Sequence, residues 1–306
     1  MFDLIIIGGG PAACSAGVYA ARKKLKTLVI AQELGGQSTV APEIQNWLGE
    51  ISISGDELSK KFVNHLRSYE GETLTIKTGV ASDVKKETDN FVVATQAGES
   101  FQTKTVLLAM GGSRRKLSTK GADIFEHKGL TYCASCDGPL FSGQDVAVIG
   151  GGNAGFGTAG QLLAYCKSVT LLEMMPTFRA EAVTIENLKQ NPNFKAISNV
   201  ELIEIKGDKF VSSLVYKNKD NSELVELPVT GIFVEIGFLP NTEMVKELVN
   251  LNPAGNVIVD HQTQRSSLNG LWAAGDCSDV KYHQNGIAAG DAVKATEDIY
   301  EYLQGK

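Results

Sequence analysis

Short apolar runs alternate with glycine-rich turns and alanine-rich stretches along this chain, and the alternation predicts its elements. "FDLIII" at 2–7 is apolar almost without a break, "GGG" follows at 8–10, "PAACSAGVYAAR" occupies 11–22, and a second apolar run, "TLVIA", occupies 27–31. A short unbroken apolar run reads as a strand buried on both faces, and the small-residue stretch is long enough for a helix. The same order returns later. "DVAVIGGGNAGFGTAGQLLAYCKSVTLLE" at 145–173 lies over "DLIIIGGGPAACSAGVYAARKKLKTLVIA" at 3–31 without a gap, at an offset of 142 residues. One strand–turn–helix–strand design is therefore present twice, too widely spaced for a solenoid repeat. The expected fold class is α/β, with two Rossmann-like, three-layer (ββα) nucleotide-binding domains, the second inserted in the first.

The insertion follows from what lies around the two copies. Residues 72–108 carry β-rich runs such as "TLTIKTGV" and "NFVVATQ", and residues 198–236 carry a second set, so each copy is expected to own a small β-sheet. "LWAAGD" at 271–276 is a buried-strand pattern ending in an acid, and it is expected to complete the first domain's sheet. That assigns 1–114 and 240–306 to the first domain and 115–239 to the second, with hinges near "GGSRRK" and "GFLPN".

The turns supply the first chemistry. Gly8, Gly10 and Ala13 occupy the G-x-G-x-x-G/A positions of the first copy; Gly150, Gly152 and Gly155 occupy them in the second. Glycine lets the chain turn tightly and lets backbone N–H groups approach a pyrophosphate at a helix N-terminus. Two such turns in strand-to-helix context point to two dinucleotides.

Charge and composition narrow the remaining classes. The chain has 306 residues, 43% of them hydrophobic, and a formal net charge of −6, with lysines scattered among acids; nucleic acid is not an expected partner. No apolar run reaches the roughly 20 residues that span a bilayer, and "MFDLIIIGGG" lacks a basic leader region and a cleavage site. A cytoplasmic protein with no membrane contact is expected. Five cysteines are too few for a disulfide framework, so "YCASCDG" at 132–138 leans toward redox or metal chemistry. Structural zinc takes four ligands, and neither a second C-x-x-C nor a paired Cys/His spacing is present, so no metal site is expected. A C-x-x-C at the start of a helix can lower one thiol's pKa, and the thiolate is the species that attacks a disulfide. Asp137, directly behind Cys136, reads either as an acid serving that chemistry or as a first-turn helix residue.

The ordered set "GGGPAA" (8–13), "LGGQ" (34–37), "NWLG" (46–49), "CASCDG" (133–138), "GGGNAG" (150–155), "GFLPNT" (237–242) and "AAGDC" (273–277) resembles the low-molecular-weight thioredoxin reductases across nearly the whole chain. The resemblance implies a homodimeric FAD-dependent enzyme that passes electrons from a nicotinamide, through the flavin and a dithiol, to a small protein disulfide. It implies that Cys136 faces the flavin, that Cys133 attacks the partner's disulfide, and that Asp137 is the associated acid. It also implies that Gly8, Gly10 and Ala13 hold the FAD pyrophosphate, Gly36 and Gln37 line the ribityl chain and flavin, Asn46 and Gln284 lie by the ring, and Asp276 binds a linker hydroxyl. Two departures stand out: Ala13 replaces the family's third glycine, and "AMG" ending at Gly111 stands where "ATG" is usual, so Met110 removes a hydroxyl. With the dithiol and nicotinamide on one domain, the resemblance implies a rotation about the two hinges that brings each to the flavin in turn. The chain opens at its first strand, so the expected acceptor is a separate protein, thioredoxin or a glutaredoxin-like carrier.

The electron donor is read from the end of the second copy. Glu173 ends its second strand, where a carboxylate accepts from both ribose hydroxyls of NAD and repels a 2′-phosphate. The family's NADPH-dependent members resemble this chain but carry His-Arg-Arg at 173–175 and a later arginine that matches Arg179. Only Arg179 is present here, which removes the charge-assisted bonds that recognise a phosphate. "TLLEMMP" is similar to the NADH-using flavoprotein component of alkyl hydroperoxide reductase. NADH is the expected donor and NADPH is disfavoured. Two alternatives stand: a relative that uses no nicotinamide and takes electrons from ferredoxin, and a non-enzymatic flavin module that senses redox state. Sequence assigns no role to Lys281 or His283.

Overall fold

The structure, a computed structural model, describes residues 1–41 and 43–305. The chain divides into two compact units, Met1–Ser113 with Leu239–Lys306, and Arg114–Phe238. Each crossing falls one residue before the boundary expected from sequence.

The first unit begins with β1 (Phe2–Ile7), α1 (Pro11–Arg22), β2 (Thr27–Ala31), α2 (Gly55–Arg67), β3 (Leu74–Thr78), β4 (Ala81–Lys86), β5 (Phe91–Thr95) and β6 (Ser100–Leu108). β1 sits between β2 and β6, parallel to both, and Leu4, Ile5 and Ile6 are fully buried. That is the burial an unbroken apolar strand requires, and each such side chain contributes roughly 1.5–3 kcal/mol. Pro11 opens α1, where its missing N–H would have had no partner, and alanines bury the helix's inner face. α2 is started by a capping box in which Ser54 and Glu57 satisfy each other's backbone N–H groups.

The β-rich stretch after α2 is not a separate sheet, contrary to the expectation from sequence. β6 is nine residues long, and its first half pairs antiparallel with β5 while its second half pairs parallel with β1. One long strand thus carries the β4–β5 hairpin as an extension of the main sheet.

The chain crosses through β7 (Gly112–Arg114) into the second unit. There follow α3 (Ala122–Phe125), β8 (Leu130–Thr131), α4 (Ala134–Asp137), β9 (Asp145–Ile149), α5 (Asn153–Leu162), β10 (Ser168–Leu172), α6 (Ala182–Lys189), β11 (Phe194–Ile197), β12 (Val200–Gly207), β13 (Val211–Asn218), β14 (Leu224–Pro228) and β15 (Gly231–Val234). The main sheet runs β11-β10-β9-β15-β8, parallel throughout. Here the β-rich stretch is a separate antiparallel sheet, β12-β13-β14.

β16 (Phe238–Pro240) is the return crossing and pairs with β7. β17 (Leu271–Ala273) then joins β6 in the first sheet, parallel to it, and α7 (Asn285–Leu303) lays Ala288, Ala292, Ala295 and Ile299 into the core that α1 also lines. Two Rossmann-like parallel sheets result, each with a strand-order reversal: between β1 and β6 in the first unit, and between β9 and β15 in the second. Ligands of such sheets bind outside the carboxyl ends of the strands at that reversal. Among the described residues no helix is long and apolar enough to cross a membrane.

Candidate active site: two glycine turns and a dithiol

The two glycine turns lie at the two strand-order reversals and are built alike. Gly8 (φ +132°) and Gly150 (φ +118°) both lie in the left-handed half of backbone space, and a Cβ on either would overlap a carbonyl oxygen of the strand end across the reversal, Ala109 or Glu235. Each first glycine donates its N–H to the second strand, Gly8 to Ile30 O and Gly150 to Leu172 O, both at 2.9 Å. Gly10 and Gly152 stand just before α1 and α5 in extended conformation, so the first-turn N–H groups are not capped by a side chain. Uncapped donors at a helix start form an anion site.

The turns differ in what approaches them. Gly36 (φ +73°) closes on the first turn: a Cβ there would lie 2.7 Å from Gly10 Cα and 3.3 Å from Pro11 Cδ. The first turn thus faces bare main chain. At the second turn, the Glu173 carboxylate accepts from Gly151 N–H at 2.6 Å with Oε2 and from Met175 N–H at 2.8 Å with Oε1. Glu173 is only 4% exposed. Arg179 is exposed, and its backbone N–H donates to Gly151 O at 2.8 Å. The third position differs too. A Cβ at Gly155 would overlap Gly150 O, whereas Ala13 is fully buried with its methyl accommodated.

The remaining first-unit residues converge in part. Asn46 Nδ2 donates to Gln284 Oε1 at 3.1 Å, joining two residues 238 positions apart. Ser38 Oγ donates to Asn285 Oδ1 at 2.6 Å, so the segment that begins at Gln37 is tied to the start of α7. Gly111 (φ +60°) has open space where a Cβ would be, and Asn241 binds its carbonyl and that of Met110, both at 3.0 Å. Asp276, at the end of β17, is half-buried. Cys14 and Cys277 are buried, with thiols pushed up to about 12 and about 11 by burial, which makes them poor nucleophiles.

Cys133 and Cys136 form a disulfide, with Cα atoms 5.3 Å apart. Cys133 caps the single turn of α4, its Sγ accepting from Cys136 N–H at 3.2 Å. Asp137 is the last residue of that turn; Thr131 Oγ1 donates to its Oδ2, and Oδ1 is buried without a partner. Burial raises the Asp137 pKa, against the opposing pull of the Thr131 bond and of His127. A shift in that direction moves a carboxyl toward the range useful for general acid work. Among the described residues no group of three or more metal-ligating side chains assembles.

Three features of this site were not visible in sequence. Ser135 Oγ donates to Gln161 Oε1 on α5 at 3.2 Å, tying the loop that carries the cysteines to the helix that follows the second glycine turn. Glu235, at the carboxyl end of β15, is nearly buried; it accepts from Thr158 on α5 at 2.9 Å and pairs with Arg114 at 3.3 Å, while burial raises its pKa. Tyr165 packs against Gly138. Only the position of Glu235 at a strand end carried a sequence signal, the same one that pointed to Asp276.

Residues 2–292 match the model of the pyridine nucleotide-disulphide oxidoreductase family. Over 304 residues the chain is 38% identical to a subunit of the alkyl hydroperoxide reductase of Pseudomonas aeruginosa, and over 302 residues it is 36% identical to a NADH dehydrogenase of Bacillus subtilis. Each alignment covers 99% of this chain and 58% of the relative, so the chain spans little more than half the length of these proteins. The crystal structure of a thioredoxin reductase from Streptococcus pyogenes is 32% identical and superimposes with a TM-score of 0.93, covering 100% of this chain and 99% of that one. By sequence along almost its entire length, and by fold, the chain belongs to the pyridine nucleotide-disulphide oxidoreductase family.

Proposed function

We propose that the chain is a flavin-dependent disulfide reductase that takes electrons from NADH and delivers them through Cys133 and Cys136 to a thioredoxin-like protein. The observation that carries the reading is the Cys133–Cys136 disulfide, its first cysteine capping a one-turn helix that ends in Asp137, a carboxyl whose pKa burial raises, in a chain with two nucleotide turns.

FAD fits the first unit. The approach of Gly36 to Gly10 leaves a cradle of main chain that any Cβ would fill, ahead of the uncapped start of α1. Gly8, Gly10 and Ala13 would hold the pyrophosphate there, with Gly36, Gln37 and Gly111 along the cofactor, Asn46 and Gln284 as a joined pair beside the ring, and Asp276 on a linker hydroxyl. The flavin supplies two-electron transfer between a nicotinamide and a disulfide. The chain's own contribution to the second half-reaction is geometric: α4 and its cap hold the cysteines, and Asp137, its pKa raised by burial, is the acid assigned to the departing sulfur. Cys136 is assigned to the flavin side and Cys133 to the protein disulfide.

The second unit, through Gly150, Gly152 and Gly155, would take the nicotinamide dinucleotide. NADH rather than NADPH is supported by the negative charge of Glu173 and by Met174 and Met175, which place exposed apolar side chains where a phosphate would need cations. Arg179 alone offers a guanidinium. The NADH dehydrogenase among its relatives agrees with this choice. The acceptor is read as thioredoxin or a glutaredoxin-like carrier, and the assembly as a cytoplasmic homodimer.

A second reading, with ferredoxin or another reductant as donor, is favoured by one observation: both Glu173 oxygens already hold backbone N–H groups, leaving the carboxylate little exposed for a ribose. Anaerobic mixing of the purified protein with NADH and NADPH separately, followed by flavin absorbance, separates the two. Fast bleaching by NADH alone supports the first. A flavin bleached by dithionite but by neither nucleotide supports the second.

A further inference from the structure

One hydroxyl holds both ends of the turn that carries the dithiol. Thr131 closes β8, in register with Phe233 of β15, and its side chain is buried. Its Oγ1 accepts at 3.3 Å from the N–H of Cys133, which caps α4, and donates to Oδ2 of Asp137, which ends α4. The turn is also closed from within: Cys133 Sγ accepts from Cys136 N–H at 3.2 Å, and Cys133 O accepts from Asp137 N–H at 3.1 Å.

A threonine oxygen that accepts from the N–H two residues on is a common local turn, and that bond alone says nothing about chemistry. The second bond is not local. A hydroxyl has one proton to give, and this one goes to a carboxyl oxygen six residues along the chain rather than to a neighbouring main-chain carbonyl. Pointing it there fixes the rotation of both groups. Asp137 Oδ2 is taken, and Oδ1 is left buried without a partner. Nothing in the strand requires the hydroxyl, since valine has the same branched shape and fits a strand equally well.

Resting on the reading of Cys133–Cys136 as a redox dithiol with Asp137 as its acid, we propose that Thr131 is a positioning residue, its hydroxyl holding the Asp137 carboxyl in one orientation at the end of the cysteine turn. Opening the disulfide takes an electron pair, from dihydroflavin in the enzyme or from a small dithiol in the test tube, and one proton for each sulfur that ends as a thiol. A carboxyl tied at one oxygen offers the other in a fixed direction. Without the tie it rotates, and proton exchange at the turn loses its geometry. His127, in the turn before β8, also acts on this carboxyl and stays unchanged in every variant below.

The experiment is the rate of Cys133–Cys136 reduction by dithiothreitol in the full-length flavoprotein across a pH series, read by acid quench, alkylation and mass spectrometry, with a melting curve for each variant. Thr131→Val should slow reduction by about tenfold at the pH where wild type is fastest, and Thr131→Ser, which restores the hydroxyl, should return it to within about twofold. In an Asp137→Asn background, itself slower than wild type, Thr131→Val should change the rate by less than about twofold, because the group it positions is gone. Thr131→Ala carries the same expectations should the valine protein not fold. A Thr131→Val or Thr131→Ala protein as fast as wild type, a Thr131→Ser protein as slow as they are, or an equal loss in both backgrounds overturns the proposal and leaves the disulfide reductase reading standing. An Asp137→Asn protein as fast as wild type overturns the proposal together with the role of Asp137, and a wild-type disulfide that no dithiol opens overturns the redox reading as well.

Discussion

The two glycine turns of this chain are superimposable in sequence and nearly identical in backbone, yet they are closed by different things. In the first unit the closing element is another glycine, Gly36, in a left-handed conformation that puts bare main chain 3.7 Å from where a Gly10 Cβ would stand. In the second it is a carboxylate, Glu173, bound to Gly151 N–H. The G-x-G-x-x-G/A motif is therefore the same scaffold in both units, and what differs is the group that closes on it. At the position of Glu173 the first unit has Ala31, whose methyl lies 3.0 Å from a would-be Gly9 Cβ, much as Glu173 Cβ lies 2.9 Å from a would-be Gly151 Cβ. The same backbone slot carries no charge in one copy and a full negative charge in the other.

The largest change should come from testing whether the two turns serve one reaction. Cys133→Ser or Cys136→Ser should reduce electron delivery to a protein disulfide by about a thousandfold or more while the flavin is still reduced at the normal rate, measured by stopped-flow absorbance alongside carrier turnover. Equal loss of both would mean that the dithiol is not downstream of the flavin.

Adding one methyl to each turn separates their roles further. Gly36→Ala places a Cβ against Gly10 at a positive φ, and the purified variant should lose most of its flavin. Gly155→Ala should instead retain flavin, lose nucleotide-driven bleaching, and be destabilised by about 1–3 kcal/mol because the new Cβ overlaps Gly150 O. Flavin-to-protein absorbance ratios and thermal melts distinguish the two. If both variants keep flavin and bleach normally, the assignment of one ligand to each turn fails.

Removing the charge at the second turn is a subtler perturbation. Glu173→Gln keeps an acceptor for Gly151 or Met175 and removes the negative charge, so NADPH should gain on NADH by about tenfold in the ratio of bleaching rates. An unchanged ratio would mean that Glu173 only braces the turn.

The smallest change concerns Glu235, whose pKa is raised by burial despite Arg114 and Thr158. A carboxyl with a raised native pKa contributes stability that is fully present below its ordinary value of 4.5 and is lost as pH rises through the native value. Glu235→Gln should therefore melt close to wild type in acid and slightly above it at neutral pH, by less than about 1 kcal/mol. A wild type that gains on the variant as pH rises would reverse the sign and mean that the Arg114 pair outweighs burial.

The duplicated design and the parallel sheets were legible because buried strands and glycine turns leave local patterns. β17 was legible for the same reason: three buried apolar residues ending in Gly-Asp mark a strand end even far from its partners. The β4–β5 hairpin was placed in a sheet of its own because nothing local says that β6 is long enough to hold two neighbours on one edge. At the site, the cysteines and glycines announce themselves by spacing. The Asn46–Gln284 bond, the Gln161–Ser135 link and the Tyr165–Gly138 contact join residues that no spacing relates, and a tyrosine after a helix reads as ordinary core until the space around it is known.

Whether electrons travel from nucleotide through flavin to the dithiol is answered by differential alkylation after anaerobic reduction. The flavin-replete protein is mixed with NADH, quenched in acid, alkylated, and the peptide containing Cys133 and Cys136 is weighed by mass spectrometry, with flavin-stripped protein in parallel. Both cysteines should be alkylated in the flavin-replete sample, and the disulfide should remain intact in the stripped one. A bleached flavin beside a disulfide that stays closed would contradict this route.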